Sequence, residues 1–262
     1  MYPRSLRIEN AVCQIGTRRF SKKKWSAAYD CVHVRQLRAR PASGTPQAVL
    51  RCRRLSARRL PHETWPGYLA PFIGAQSGAG TTPSGRDLRL GLYGLIPHWA
   101  KGVQQGRHTY NARTETVDQL SSFKYAWKAG QRCIVPIESY YDPCWESGKA
   151  VRWQVRRRDR SPLGVAGLWN SWRAPDGQEV LSFTMLTVNA DGHGVMGHMH
   201  RPEDEKRIVA ILASDEYDQW LHAKPGQIKA LLRCWPAVEL DAIPAPQIPR
   251  NANTEMLQQT LF

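Results

Sequence analysis

Residues 110–143 read YNARTETVDQLSSFKYAWKAGQRCIVPIESYYDP, and the two ends of this stretch carry groups able to do chemistry. At the first end Asn111, Arg113 and Glu115 set an amide, a guanidinium and a carboxylate at alternating positions. Side chains along a strand alternate with a period of two, so in a strand the three would share one face. At the second end Glu138 and Asp142 bracket Ser139, Tyr140 and Tyr141. Together these have the layout of a polar site. They also fit a half-exposed strand face carrying an ion pair, with Tyr140 and Tyr141 as ordinary core aromatics.

The elements that must hold these groups can be read from periodicity. Val117, Leu120, Phe123 and Trp127 recur at helical spacing, and Gly130 stands where a left-handed residue closes a helix. Residues 132–137 (RCIVPI) read as a buried strand leading to the second acidic pair. Upstream, residues 61–73 are extended with aromatic anchors, residues 75–84 form a Gly/Ser/Thr loop, and residues 87–92 alternate like a half-buried strand. Downstream, strands are expected at 150–155, 163–169, 182–188 and 207–212. A charged turn falls at 156–160 and a Pro-Asp-Gly turn at 175–177. Ser214 is placed to cap a helix through Tyr217, Trp220 and Leu221, and a second short helix is expected at 227–232. Many strands, few helices and no βαβ rhythm predict a single α+β domain: a mixed or antiparallel, barrel-like sheet with peripheral helices.

Composition narrows the class. The chain has 262 residues, 42% of them hydrophobic, with ten Trp, which suits one globular core. Of its 37 Lys and Arg, 15 lie in residues 1–60 beside only Glu9 and Asp30, so nearly all of the net charge of +15 belongs to the N-terminal segment. That segment reads as a solvated charge block, as an arm for nucleic-acid phosphates, or as a shifted reading frame. The expected organisation is this basic segment, a domain over residues 61–240, and a poorly ordered Pro/Gln-rich tail over 241–262. Six cysteines show no CxxC pair and no Cys/His cluster at zinc spacing, which argues against a metal site; Cys133 and Cys234 read as buried thiols. No apolar run is long enough to span a bilayer, so the expected location is the cytoplasm, with the nucleoid.

The segments YNARTET, SFKYAW, GQRCIVPIESYYDP and HMHRPEDEKRIVAIL, in this order, resemble the SOS response-associated peptidase family, whose members process abasic sites in single-stranded DNA. The resemblance extends over residues 65–223. It implies capture of the ring-opened abasic aldehyde by a cysteine at the mature N-terminus, giving a thiazolidine crosslink in a monomer that uses no cofactor. An α-amine with a pKa of about 8 is partly neutral at cellular pH and can attack the aldehyde, after which the thiolate of the same residue closes the ring.

By position, the resemblance assigns Asn111 to hold the cysteine and opened sugar, and His200 to act as general acid and base. His198 is left structural. The family's glutamate falls on Asp142, one methylene shorter. Arg113 would bind a DNA phosphate, and Trp99 matches an aromatic position beside stacked bases, with a core role as its alternative. Family members begin Met-Cys, whereas Tyr2 follows Met1 here; Cys31, in CVHV, matches the family start, with Cys13 behind it. Thirty residues must leave to free the Cys31 amine. Two further readings compete: a cysteine peptidase acting on its own leader, and an inactive, basic single-strand binder.

Overall fold

In a computed structural model of the protein, the residues described are 63–76, 85–223 and 227–246, together with the backbone of 33–36. They belong to one compact unit, residues 30–245, with Pro246 beyond it. Its elements in chain order are β1 (His33–Gln36), β2 (Glu63–Thr64), β3 (Leu69–Ala75), β4 (Arg86–Tyr93), β5 (Asn111–Arg113), α1 (Lys124–Lys128) and β6 (Arg132–Cys144). There follow β7 (Val151–Arg157), β8 (Leu163–Arg173), β9 (Glu179–Asn189), β10 (Arg207–Val209), β11 (Ile211–Leu212), α2 (Tyr217–His222) and β12 (Leu240–Pro244).

Five strands close on themselves. β8 pairs with β9, β9 with β4, β4 with β3, β3 with β6, and β6 returns to β8; all are antiparallel except the short β4–β9 contact. Closure removes free edges, which an open sheet would have to protect. Rings from three of the walls pack together, Tyr93 stacking on Phe183 at 5.5 Å and Phe72 meeting Phe183 at 5.6 Å. α2 lays the fully buried Trp220 against the barrel, its indole N–H donating to the carbonyl of Cys133 at 2.8 Å. Burying about 150 Å² of ring contributes on the order of 4 kcal/mol as an upper bound.

The α+β, barrel-like architecture is the expected one, and the departures from expectation are local. The helix starting at Val117 is confined to Lys124–Lys128, although Gly130 does adopt the left-handed conformation at φ +67°. Tandem serines interrupt the ladder, because serine competes with backbone bonds, and the Ser121 carbonyl accepts the Trp99 indole N–H at 3.2 Å. The strand at 207–212 divides at Ala210, whose N–H goes to Leu186 on β9 and whose carbonyl takes the N–H of Ala166 on β8. Arg156 and Arg157 belong to β7 rather than to a turn. Residues 241–244, assigned to a poorly ordered tail, form most of β12 and pair with β7. Within the basic segment, His33–Gln36 is a strand of the sheet. Ser214 follows the cap residue Ala213, whose N–H bonds the Glu216 carboxylate at 2.9 Å. No helix among the described residues is long and apolar enough to cross a membrane.

Close strand approach depends on small residues in β8. A Cβ on Gly167 would stand 2.5 Å from the Thr184 carbonyl oxygen and 3.0 Å from the Cys133 sulfur. Gly167→Ala is therefore expected to destabilise the fold by about 1–3 kcal/mol, read as a lower urea midpoint with an unchanged slope.

Candidate active site

The site is built where β6 outruns the barrel. Residues 132–137 of this strand pair with β8, whereas Tyr140 to Cys144 pair with β7 on one edge and the stretch ending at Tyr141 pairs with β1 on the other. Asp142 lies in that second half, opposite Trp153 of β7. The strand is thus longer than expected and carries both acidic residues, Glu138 exposed and Asp142 buried.

His200 arrives from the segment after β9. Met199 bridges to Cys144, the His200 N–H donates to the Pro143 carbonyl at 2.7 Å, and the Trp145 N–H to the His198 carbonyl at 3.3 Å. His200 takes φ +59°, a left-handed conformation uncommon for a residue with a side chain. This docking sets His200 Nε2 3.7 Å from Asp142 Oδ1, with both side chains at most 2% exposed. The separation exceeds a good hydrogen bond. A carboxylate against an imidazole is nevertheless a pair able to hold and pass a proton. Beside them Tyr140 is fully buried, its hydroxyl donating to the Met196 sulfur at 3.5 Å. Burial, reinforced by the Asp142 charge, pushes the Tyr140 hydroxyl well up, so it stays a phenol.

A histidine the sequence reading passed over organises the approach to His200. His193 Nδ1 accepts the backbone N–H groups of Met196 and Val195 at 3.0 and 3.3 Å. Its Nε2 must then be the protonated nitrogen, donating to the Trp235 carbonyl at 2.8 Å. The signal was a histidine between two glycines just after a strand. His198 is exposed and pairs with Glu146 at 2.5 Å.

Asn111 opens β5, which runs parallel to β9 with Asn111 opposite Met185. The side chain is half-buried and its Oδ1 is a buried acceptor with no hydrogen-bond partner. Alternation holds for the strand itself: Ala112 is buried and Arg113 is exposed. Glu115 lies past the strand end, so the expected common face stops at Arg113. Arg113 bonds Glu205 at 2.7 Å, and Glu115 takes both terminal nitrogens of Arg207, at 3.1 and 2.9 Å. Trp99 is 45% exposed, which removes the core alternative for it. The side chains of Asn111, Arg113 and Trp99 make no hydrogen bond to the Asp142–His200 pair. Cys31, like Cys13, lies outside the described residues. Of the described cysteines, Cys133 and Cys144 are buried while Cys234, expected to be buried, is exposed. Leu231 and Trp235 turn inward on either side of it. Among the described residues no group of His, Cys, Asp or Glu is arranged to hold a metal ion.

The family model described as SOS response associated peptidase (SRAP) matches residues 41–248. Abasic site processing protein YoqW of Bacillus subtilis (strain 168) is 27% identical over 185 residues, which are 66% of this chain and 78% of that protein. Abasic site processing protein HMCES of Xenopus tropicalis is 28% identical over 162 residues, 53% of this chain and 46% of that one. A crystal structure of a protein from Bordetella bronchiseptica superposes with a TM-score of 0.70 at 32% identity, covering 83% of this chain and 100% of the other.

Arg207, largely buried, is the hub of the neighbouring charged cluster. Partial burial raises the Glu115 pKa, but its bonds and attraction to Arg207 outweigh that and leave it low. Glu205 is held low first by the Asn189 amide and then, against the opposing effect of partial burial, by Arg207 and Arg113. Depressed carboxylates stabilise the fold above their unfolded range, about pH 4, and lose that contribution as pH falls through the folded values. Arg207→Met should therefore lower stability at pH 7 and flatten its decline toward pH 3, measured by denaturant midpoints at both pH values.

Proposed function

The chain belongs to the SOS response associated peptidase family, and from that premise we propose that it processes abasic sites in single-stranded DNA by covalent capture. The relatives named abasic site processing proteins support this substrate. In this reading residues 1–30 are removed and Cys31 becomes N-terminal. The neutral α-amine attacks the aldehyde of the opened sugar and water leaves to give an imine. The thiolate then adds to the imine carbon, closing a thiazolidine. His200 protonates the ring oxygen as the sugar opens and takes protons back during imine formation, with Asp142 holding the imidazolium. The unpartnered Asn111 Oδ1 is an acceptor for the amine or a sugar hydroxyl, fixing the attack geometry. Arg113 takes a phosphate, and Trp99 offers a ring on which a base can stack.

The observation that carries this reading is the buried Asp142–His200 pair at 3.7 Å. Its carboxylate lies on β6, the strand partner of β1, and His33, the first residue of β1 and only two residues after Cys31, faces Tyr141, the neighbour of Asp142. An acid/base pair is thus assembled next to the segment that follows the proposed nucleophile. Asp142 carries the carboxylate that the family supplies from glutamate, so Asp142→Glu should retain crosslinking whereas Asp142→Asn should not.

A protein beginning at Cys31 is expected to form an adduct with a single-stranded abasic oligonucleotide that survives denaturing electrophoresis. Replacing the leading residue by Ala abolishes it, and His200→Ala slows it about 10²- to 10⁴-fold. No adduct from the Cys31 form, or an adduct undiminished by the Ala replacement, rejects the reading. The intact mass of the full-length protein after expression reports whether residues 1–30 leave by themselves.

A further inference from the structure

Glu205 reaches Arg113 across 92 positions of sequence, and the way it is held distinguishes it from an ordinary surface acid. Its Oε1 accepts from Arg207 at 2.7 Å and from the Asn189 amide at 2.9 Å, while its Oε2 accepts from Arg113 Nη1 at 2.7 Å. Arg207 is fixed in turn by Glu115 and by the Thr187 carbonyl at 2.7 Å. Asn189 faces Arg207 in the β9–β10 register and also bonds Asp191 at 2.8 Å. Glu205 is therefore immobilised without help from Arg113. Arg113 is 57% exposed on its side chain, and Glu205 supplies its side-chain anchor. That bond uses one of the guanidinium nitrogens, leaving Nε and Nη2 for another acceptor.

We propose that Glu205 is a positioning residue that orients the Arg113 guanidinium toward a single phosphate of the bound DNA strand. The proposal rests on the phosphate role given to Arg113 above. A free arginine side chain loses rotamer freedom when it grips a phosphate, and an anchored carboxylate meets that cost before the ligand arrives. Simple electrostatics predicts the opposite sign, since an acid beside a phosphate site repels DNA. The sign of the mutational effect therefore separates the two.

Binding of an unmodified single-stranded oligonucleotide, followed by fluorescence anisotropy, tests this without requiring crosslinking. Glu205→Ala is expected to weaken binding about three- to ten-fold, a coupling of ordinary size for adjacent polar groups. Glu205→Gln, which leaves one acceptor oxygen for three donors and sets its NH2 against one of them, should also weaken binding, by no more than Glu205→Ala does. In an Arg113→Ala background the Glu205→Ala change should have no further effect. Equal or tighter binding by Glu205→Ala, or an equal loss in the Arg113→Ala background, overturns the proposal. An Arg113→Ala protein that binds like wild type instead overturns the phosphate role of Arg113 and takes this inference with it. Protein that binds no single-stranded DNA at all overturns the functional reading itself.

Discussion

Every buried backbone amide and carbonyl of β6 needs a hydrogen-bond partner, and no one neighbouring strand runs along its whole length. The strand meets this demand by changing neighbours: β8 and β3 serve its first half, β7 and β1 its second. The first set closes the barrel. The second carries the same strand past the barrel wall and leaves Asp142 at a place where the segment after β9 can dock. One continuous strand thus links the rigid core to the polar residues, which is how a small site acquires positional precision.

The two polar clusters are handled differently. Asp142 and His200 are both nearly sealed from solvent, an arrangement that costs stability unless the charged forms are compensated. His200 adds a left-handed backbone, and such strain persists only where surrounding contacts over-determine it. Here the bridge at Met199, the bond to Pro143 and the His193 latch supply those contacts. The Arg207 cluster instead grades from a buried guanidinium, held by Glu115 and Glu205, to the exposed Arg113, with Glu205 shared between the two cations. Sharing keeps the buried end neutralised and the outer end available. One cluster suits proton transfer, the other suits anion contact.

The proposed capture chemistry would give these features a common use. Aminothiol capture of an aldehyde needs little from the protein beyond orientation and proton movement, because both nucleophiles reside on one residue. A half-buried amide, a buried acid/base pair and an outward guanidinium are the kinds of group that such chemistry calls for.

Much of this was legible in the sequence because it is local or periodic. The alternation at 87–92, the apolar run at 132–137, the left-handed Gly130 and the absence of βαβ rhythm follow from short-range sterics and burial patterns, and they gave the α+β barrel-like class. The family resemblance, carried by motifs in the sequence, assigned Asn111, Asp142 and His200 by position. Three things required the folded chain. The helix expected from Val117 forms only over Lys124–Lys128, and the Ser121 carbonyl before it accepts the distant Trp99 indole N–H. Residues 241–244 became a strand because β7 offered an edge. Glu205, Arg207 and His193 gained their roles from partners far away along the chain. Periodicity reports which face of an element is apolar, but the pairing of charges such as Arg113 with Glu205 depends on which strands become neighbours, and long-range register alone decides that.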